Sequence, residues 1–327
     1  MKRTLSMLLV LAMLLSCLPM GALATEAETG PAETVAEVTV EETEPAAETT
    51  EVMETIAEVV EIEEPVALAM EPRSTGDSGE AGEGVTWTLD NEGTLTISGE
   101  GEMTGSPWRT DYKTVIKKVI IEEGVTSIAD YAFSGCSSLA EITIPESVTS
   151  IGYEAVYQCG LKNFTFRSSF ESLGMWAFSG THLENLYVED LTHFLSFDHY
   201  YTDLFYDNLY VNGELVTNLV IPEGIEKITR NTFDYVSSLE SVTIPGSVKS
   251  IATYAFYECE NLKKLTVEEG TQTIGTYAFY GCKNLMEVNL PSTLNAIQSY
   301  AFSGCGFTEF TIPTGVQVIN SNAFKYS

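Results

Sequence analysis

Basic side chains are scarce in this chain: 16 Lys and Arg stand against 47 Asp and Glu, a formal charge of −31. Phosphate neutralisation requires Lys and Arg in excess, so nucleic acid and anionic membrane surfaces are excluded as partners. Negative charge of this size speaks for solubility and self-repulsion, and by itself it names no partner. Histidine is rarer still, at three in 327 residues. His182, His193 and His199 lie close in sequence to Asp198 and Asp203, but no pair has the spacing of H-E-x-x-H or another ligand motif. Incidental histidines in a loop are the expectation. The six cysteines include no C-x-x-C cluster, which removes the common zinc architectures. There is no nucleophile elbow, no phosphate-cradling glycine loop and no catalytic dyad. The expectation is a non-catalytic chain with no metal and no cofactor.

Long apolar runs are also missing, apart from one at the start. Lys2 and Arg3 precede the apolar stretch Leu5 to Leu18, and Ala22-Leu23-Ala24 follows as an A-x-A cleavage site before Thr25. That order reads as an export signal over residues 1–24, too short to be a good membrane span. Leu14-Leu15-Ser16-Cys17 offers a second reading, a bacterial lipobox that would leave Cys17 lipidated. Export implies a secreted or cell-surface protein with no membrane span once the signal is removed. Residues 25–84 lack aromatic residues altogether and hold 18 acidic residues against the single basic Arg73. Such a segment buries too little apolar surface to offset its ordering entropy, so a disordered, extended acidic spacer is expected there.

What remains is a repeat. Strand starts recur at Val119, Ile142, Phe164, Leu186, Leu219, Val242, Leu265, Val288 and Phe310. A second apolar residue follows two positions later, as in Ile121, Ile144, Phe166, Ile221 and Ile244, and a proline often comes next (Pro145, Pro222, Pro245, Pro313). Alternation with period two means a short strand with one buried face, and proline ends it because it has no N–H to donate. Nine residues after each start comes Ile128, Ile151, Leu173, Ile228, Ile251, Ile274, Ile297 or Ile319. Ala-Phe follows four further on, then Cys136, Cys159, Cys259, Cys282 or Cys305. A fixed period of about 23 residues is the signature of a solenoid, in which each coil buries its apolar edge against its neighbours. The column Phe133, Phe178, Phe233, Phe256, Phe279, Phe302 is expected in the core.

Units such as ITIPESVTSIGYEAVYQC (142–159) and VTIPGSVKSIATYAFYECENL (242–262) resemble the BspA-like, or treponemal-type, leucine-rich repeats of bacterial surface proteins. The resemblance covers about 115–327. The segment VTWTLDNEGTLTISGEGEMTGSPW (85–108) resembles the leader that such proteins carry before their first repeat. Independently, its alternation around Asn91-Glu92-Gly93 reads as a β-hairpin. The expected architecture is a β-rich repeat solenoid of leucine-rich repeats with an N-terminal β-hairpin cap over 85–114. The solenoid proper spans 115–327 in about nine coils. One coil, 186–218, is irregular, and the last stops at Phe324-Lys325-Tyr326-Ser327 without its closing Cys and Leu. The resemblance implies adhesion to matrix proteins or other cells.

Five cysteines share one repeat phase and should stack as a buried column. Free thiols, disulfides such as Cys136–Cys159 and a metal site are the readings, and Thr181 and Val236 in the same phase mark it as a small-residue packing position. Two surfaces are candidates for binding. One is the exposed row of the sheet: Thr143, Thr165, Tyr187, Thr243, Thr266, Asn289 and Thr311. The other is the aromatic insertion with Phe197, Tyr200, Tyr201, Phe205 and Tyr206, followed by the turn signal Asn212-Gly213. Ordinary β-propensity and the filling of a misshapen coil would account for the same residues. The functional expectation is an adhesin-like protein that binds extracellular or host proteins, or cell-surface glycoconjugates. A passive envelope scaffold and the targeting region of a truncated extracellular enzyme are the alternatives.

Overall fold

The computed structural model describes residues 76–197 and 201–327. The export segment with Cys17, Ala24 and Thr25, the acidic stretch through residue 75, and Asp198, His199 and Tyr200 lie outside the described residues. Within 76–327 the alternation does what its period requires. Val119 and Ile121 are buried while Ile120 between them is half exposed. Lys118–Ile121 lies parallel to Thr94–Gly99 on one side and to Glu141–Thr143 on the other, with Val119 opposite both Leu95 and Ile142. The pattern recurs in Asn163–Phe166, His182–Val188 and Phe205–Val211, then in Asn218–Val220, Ser241–Ile244, Lys264–Val267 and Glu287–Asn289. Two-residue strands carrying the next isoleucine, such as Ser150–Ile151 and Ser250–Ile251, form a second set of parallel sheets. The result is a β-solenoid of about ten turns with repeats of about 23 residues.

The folded region begins before residue 85. Asp77–Gly82 forms a strand antiparallel to Val85–Leu89, which in turn pairs antiparallel with Thr94–Gly99. Composition gave no sign of the first strand, because it is held mainly by backbone bonds and adds only Ala81 to the core. Asp90 shapes the hairpin turn by accepting from the N–H groups of Glu92 (2.9 Å) and Thr94 (2.8 Å). Gly93, at φ 88°, is required there, since a Cβ would sit 2.4 Å from the Val115 carbonyl. Thr94–Gly99 is also the first turn of the parallel array, so the capping hairpin shares a strand with the solenoid. This is why about ten turns are present rather than nine.

The expected 33-residue coil is not one coil. Leu186 pairs in register with Leu209, a regular 23-residue step, and Leu219 follows only ten residues later. Counting from Leu186 to Leu219 passed over Leu209-Tyr210-Val211, which has the strand alternation. The insertion is the short hairpin in which Phe205–Val211 meets Glu214–Leu215. It ends one sheet, and Asn218–Val220 begins the next. In the turn before it, Leu191–Ser196 is a single short helix, capped by Asp190 accepting from the N–H groups of Thr192 and His193.

On the side opposite the strands, most turns pass through an arc with two left-handed residues four positions apart. Tyr131 and Gly135, Tyr254 and Glu258, and Tyr277 and Gly281 are examples, with φ between 54° and 76°. Holding non-glycine residues there costs about 1 kcal/mol each. The return is a set of bonds between turns: the N–H groups of Tyr254, Phe256 and Glu258 donate to the carbonyls of Thr276, Ala278 and Tyr280, at 3.1, 2.8 and 2.7 Å. Intervening N–H groups bond locally, so the backbone bonds that the left-handed residues and the residue midway between them make to the next arc all run toward the C-terminal end. In a parallel strand pair the donors alternate in direction. At the first turn the indole N–H of Trp108 supplies the missing donor, bonding the Ala132 carbonyl at 2.7 Å while its ring stacks on Phe133.

Beneath the arc runs the phenylalanine column. Phe233, Phe256, Phe279, Phe302 and Phe324 stack in line at 5.1 to 5.7 Å, and the first four are fully buried, as are Phe133 and Phe178. Beside it the five repeat cysteines are buried and free. Their position is more than a small-residue slot, because the side chain donates to the carbonyl of the preceding turn's Phe position. Cys159 reaches Phe133 O at 2.9 Å, Cys259 reaches Phe233 O at 3.0 Å, and Cys282 and Cys305 reach Phe256 O and Phe279 O at 3.3 Å. Thr181 makes the same bond with its hydroxyl, and Ser327 fills the same slot in the last turn. Val236, which has no donor, falls in the turn just after the inserted hairpin, where the regular neighbour is displaced.

Candidate interaction surface

His182, Glu184 and Asp207 lie outward at the starts of two strands, Glu184 paired with Lys162 (3.4 Å) and His182 with Asp207 (3.0 Å). Beyond them the strands present two outward rows. Pairing aligns Thr88, Thr96, Ile120 and Thr143 in one, continued in the same phase by Thr165, Tyr187, Tyr210, Val220, Thr243, Thr266 and Asn289. No charged residue occurs in it. The second row holds Lys118, Glu141, Asn163, Asn185, Asn208, Asn218, Ser241, Lys264 and Glu287. Its charges sit at the two ends and are paired there, Lys118 with Glu141 and Lys264 with Glu287, each at 3.1 Å. Between them an amide ladder runs from Asn163 through Asn185 (2.8 Å) to Asn208 (3.1 Å), and the Ser241 hydroxyl donates to Asn218 at 2.7 Å. Tyr187 and Tyr210 stack at 4.7 Å, with Leu215 opposite Tyr210. Leu215 is 44% exposed and Val220 63%, so the middle of the face offers aromatic, aliphatic and amide groups to solvent.

Thr143 and Asn289 are exposed, and Thr165, Tyr187, Thr243 and Thr266 half-buried, all on strands of this face. Thr311 is exposed but belongs to no strand. The described members of the aromatic insertion do not form one surface. Tyr206 is fully buried, with its hydroxyl donating to the Thr232 carbonyl at 2.8 Å, which corrects its place among the surface candidates. Phe197 packs on Phe166 at 5.1 Å, and Phe205 is half-buried against Tyr235. Tyr201 alone of the described members is exposed, on the arc side beside Trp176, whose N–H donates to its carbonyl. Tyr210, Leu215 and the three ladder asparagines were missed from sequence. Tyr210 stands two after Leu209 as Tyr187 stands two after Leu186, and that phase was the available signal.

The two described histidines come no closer to chemistry. His182 Nε2 lies 3.0 Å from Asp207 on the exposed surface, and His193 Nε2 lies 2.7 Å from the Phe170 carbonyl. Among the described residues no group of three His, Cys, Asp or Glu side chains is placed to hold a metal ion. Burial pushes the repeat thiols up, Cys136 and Cys305 to about 12, so they are neutral and poorly nucleophilic at ordinary pH. A shallow groove of about 590 Å³ crosses the short strands past Ser127, Asp130, Ser150 and Tyr153, and its Asp130 carboxylate accepts from the Tyr153 backbone N–H at 2.7 Å. Among the described residues no helix is long and apolar enough to cross a membrane.

Among solved structures, the chain is similar to a leucine-rich repeat protein of Eubacterium ventriosum. The two share 19% identity over 77% of this chain and 95% of that one, with a TM-score of 0.38. A leucine-rich cell surface protein of Faecalibacterium prausnitzii gives 18% identity, 78% and 99% coverage and a TM-score of 0.37. The pneumococcal vaccine antigen PcpA gives 17%, 77%, 79% and 0.39. No curated protein matches the sequence. The family described as BspA type leucine rich repeat region matches residues 111–205 and 203–327, in six copies. Most of the ladder of strands, and all of the phenylalanine column and the donor slot beside it, lie within these matched residues, and this chain belongs to the BspA-type leucine-rich repeat proteins.

Proposed function

We propose that the protein is an exported, non-catalytic binding module that engages other proteins through the open face of its strand sheet. One observation carries this reading: in a chain of net charge −31, the two outward strand rows are uncharged from Asn163 to Ser241 and built mainly from Asn, Thr, Ser and Tyr. Tyr supplies rigid amphipathic contact area at low entropy cost, and Asn, Ser and Thr supply adaptable hydrogen bonds, the composition of antibody-type paratopes. The residues assigned to it are Thr143, Thr165, Tyr187, Thr243, Thr266 and Asn289, joined by Tyr210 and Asn185. Lys2, Arg3 and the apolar stretch to Leu18 support export, with cleavage after Ala24, and hence a place at the bacterial cell surface or outside it.

The test is surface plasmon resonance of the protein against immobilised matrix proteins and mucins. Micromolar binding is expected, weakened at least about tenfold in Tyr187→Lys/Tyr210→Lys, because two lysines would place unpaired charge at the centre of the contact. Absence of binding to every fraction, or binding indifferent to that variant, overturns the reading.

A further inference from the structure

The charged ends and uncharged centre of the second row have a symmetry that protein binding alone does not require. In order, with one further place between Asn208 and Asn218 for the hairpin strand Glu214–Leu215, the row reads Lys118, Glu141, then five uncharged residues, then Lys264, Glu287. Turned end for end and laid against itself, Lys118 falls opposite Glu287 and Glu141 opposite Lys264. The uncharged residues fall opposite one another. The neighbouring row turns the same way: Thr143 meets Thr266, Thr165 meets Thr243, Tyr187 meets Val220 and Tyr210 meets Leu215. An isologous twofold contact uses one patch twice, so that patch must be complementary to its own reverse.

We infer that this face binds a second copy of the chain, the two solenoid axes antiparallel about a twofold that runs along the strand direction. The inference rests on the reading of the sheet as the protein-binding face and names the partner. A chain of charge −31 repels its own copy, so a homotypic contact needs a stretch where charge is absent or complementary. The two outward rows supply absence at their centre and complementarity at the ends of one of them, and Glu184 and Asp207 at the starts of the central strands are paired with Lys162 and His182. The inserted hairpin lies at the pivot. Its Leu215, exposed beside the Tyr187–Tyr210 stack, gives the apolar centre that the threonine-bearing turns do not.

The size of the patch sets the strength. From Lys118 to Glu287 the face spans ten strand positions, roughly 45 Å at ~4.8 Å each, and about 10 Å along the strands. That is about 450 Å² per copy, below the ~800 Å² of a stable interface, so the dimer is weak and reversible.

The experiment is sedimentation velocity on the full chain from micromolar to submillimolar concentration, where a monomer–dimer equilibrium is expected. Lys118→Glu/Lys264→Glu makes both ends acidic, and Glu141→Lys/Glu287→Lys makes both ends basic. Each variant alone is expected to dimerise at least about tenfold more weakly, and an equimolar mixture to recover a heterodimer as tight as the wild-type dimer. Asn208→Lys, near the pivot, sets like charges close together and provides an independent loss should either pair of swaps disturb folding, which circular dichroism reads. A wild type that stays monomeric throughout, or a dimer indifferent to the swaps, overturns the inference. If a monomeric wild type still binds matrix protein or mucin and loses that binding in Tyr187→Lys/Tyr210→Lys, self-association falls and the binding reading stands. If neither self-association nor any foreign binding responds to that variant, both fall.

Discussion

Phe279→Ala tests the packing logic of the array most directly. The Phe279 ring is fully buried between Phe256, at 5.1 Å and 3° from coplanar, and Phe302, at 5.3 Å and 5°. Removing a buried Phe costs about 3–5 kcal/mol in lost transfer energy and cavity. The two stacked contacts place it at the upper end, since each adds ~1 kcal/mol beyond burial. Phe178 is the internal control. Val156 interrupts the column between it and Phe133, and its close ring contact is Phe164, edge-on at 4.7 Å. Phe178→Ala is therefore expected to cost about 1 kcal/mol less. Urea unfolding followed by circular dichroism reads the whole array, whereas the tryptophans at 87, 108 and 176 all report from turns well before residue 279. Because solenoid stability is a sum over neighbours, Phe279→Ala should shift the dichroism transition more than the tryptophan transition. A loss below about 2 kcal/mol, or equal losses at positions 178 and 279, would show that the column is not the main source of stability.

Two further outcomes follow from buried polar groups. Asp234 is buried beside the inserted hairpin, and among the described residues its Oδ1 has no hydrogen-bond partner. Desolvation raises its carboxyl well above the ordinary value, the Asp203 carboxylate adds to this, and the Arg230 guanidinium opposes it. A raised native-state value means the folded chain holds the proton more tightly. That stability is full below the unfolded carboxylate value near ~4 and is lost as pH rises through the native value. Asp234→Asn should thus flatten the pH dependence of the urea midpoint and raise it at pH 8. An unchanged profile between pH 5 and 8 would refute the assignment. The repeat thiols, raised by burial, should resist an aromatic disulfide reagent at pH 8 in native buffer and react in full in denaturant. Rapid labelling of native protein would show that the column opens.

The repeat was legible because its period, its alternation and its Ala-Phe-x-x-Cys phase are one-dimensional patterns, and burial follows them residue by residue. Three features were not legible for separate physical reasons. Asp77–Gly82 is a strand made mainly by backbone pairing, so its Gly, Ser and Glu side chains carried no apolar signal. The turn starting at Leu209 was hidden because a ten-residue hairpin follows it in place of a full coil, which turned 23 plus 10 into an apparent 33. The roles of the aromatic residues depended on which side of the chain each faced. Tyr206 and Tyr210 look alike in composition, but one is buried and bonds Thr232, while the other is half-buried on the strand face and stacks on Tyr187. Periodicity places a residue in phase, and only the fold of an irregular turn decides whether that phase is inside or out.

The one-way hydrogen bonding of the arcs explains why the sequence leaves its repeat where it does. A stack of arcs whose N–H groups all point toward the C-terminal end exposes carbonyls at its other end, as a helix does at its C-terminus. Such an end favours donors and cations. At the first turn Trp108 gives its indole N–H to Ala132, and Arg109 lies over Tyr131 at 4.7 Å. The inserted hairpin separates a second stack, whose bonds run from Phe233 and Tyr235 onward, and there Arg230 lies over Tyr254 at 5.1 Å. In a chain with only 16 basic residues, an arginine stands at the carbonyl end of each stack and stacks on the tyrosine of the next turn. Substituting Arg230 is thus a change at the start of a stack and not at the middle of a uniform rod. Trp108, Arg109 and Arg230 thus answer to the direction of the arc bonds, and the strand face on either side of the inserted hairpin is free to vary with its partner.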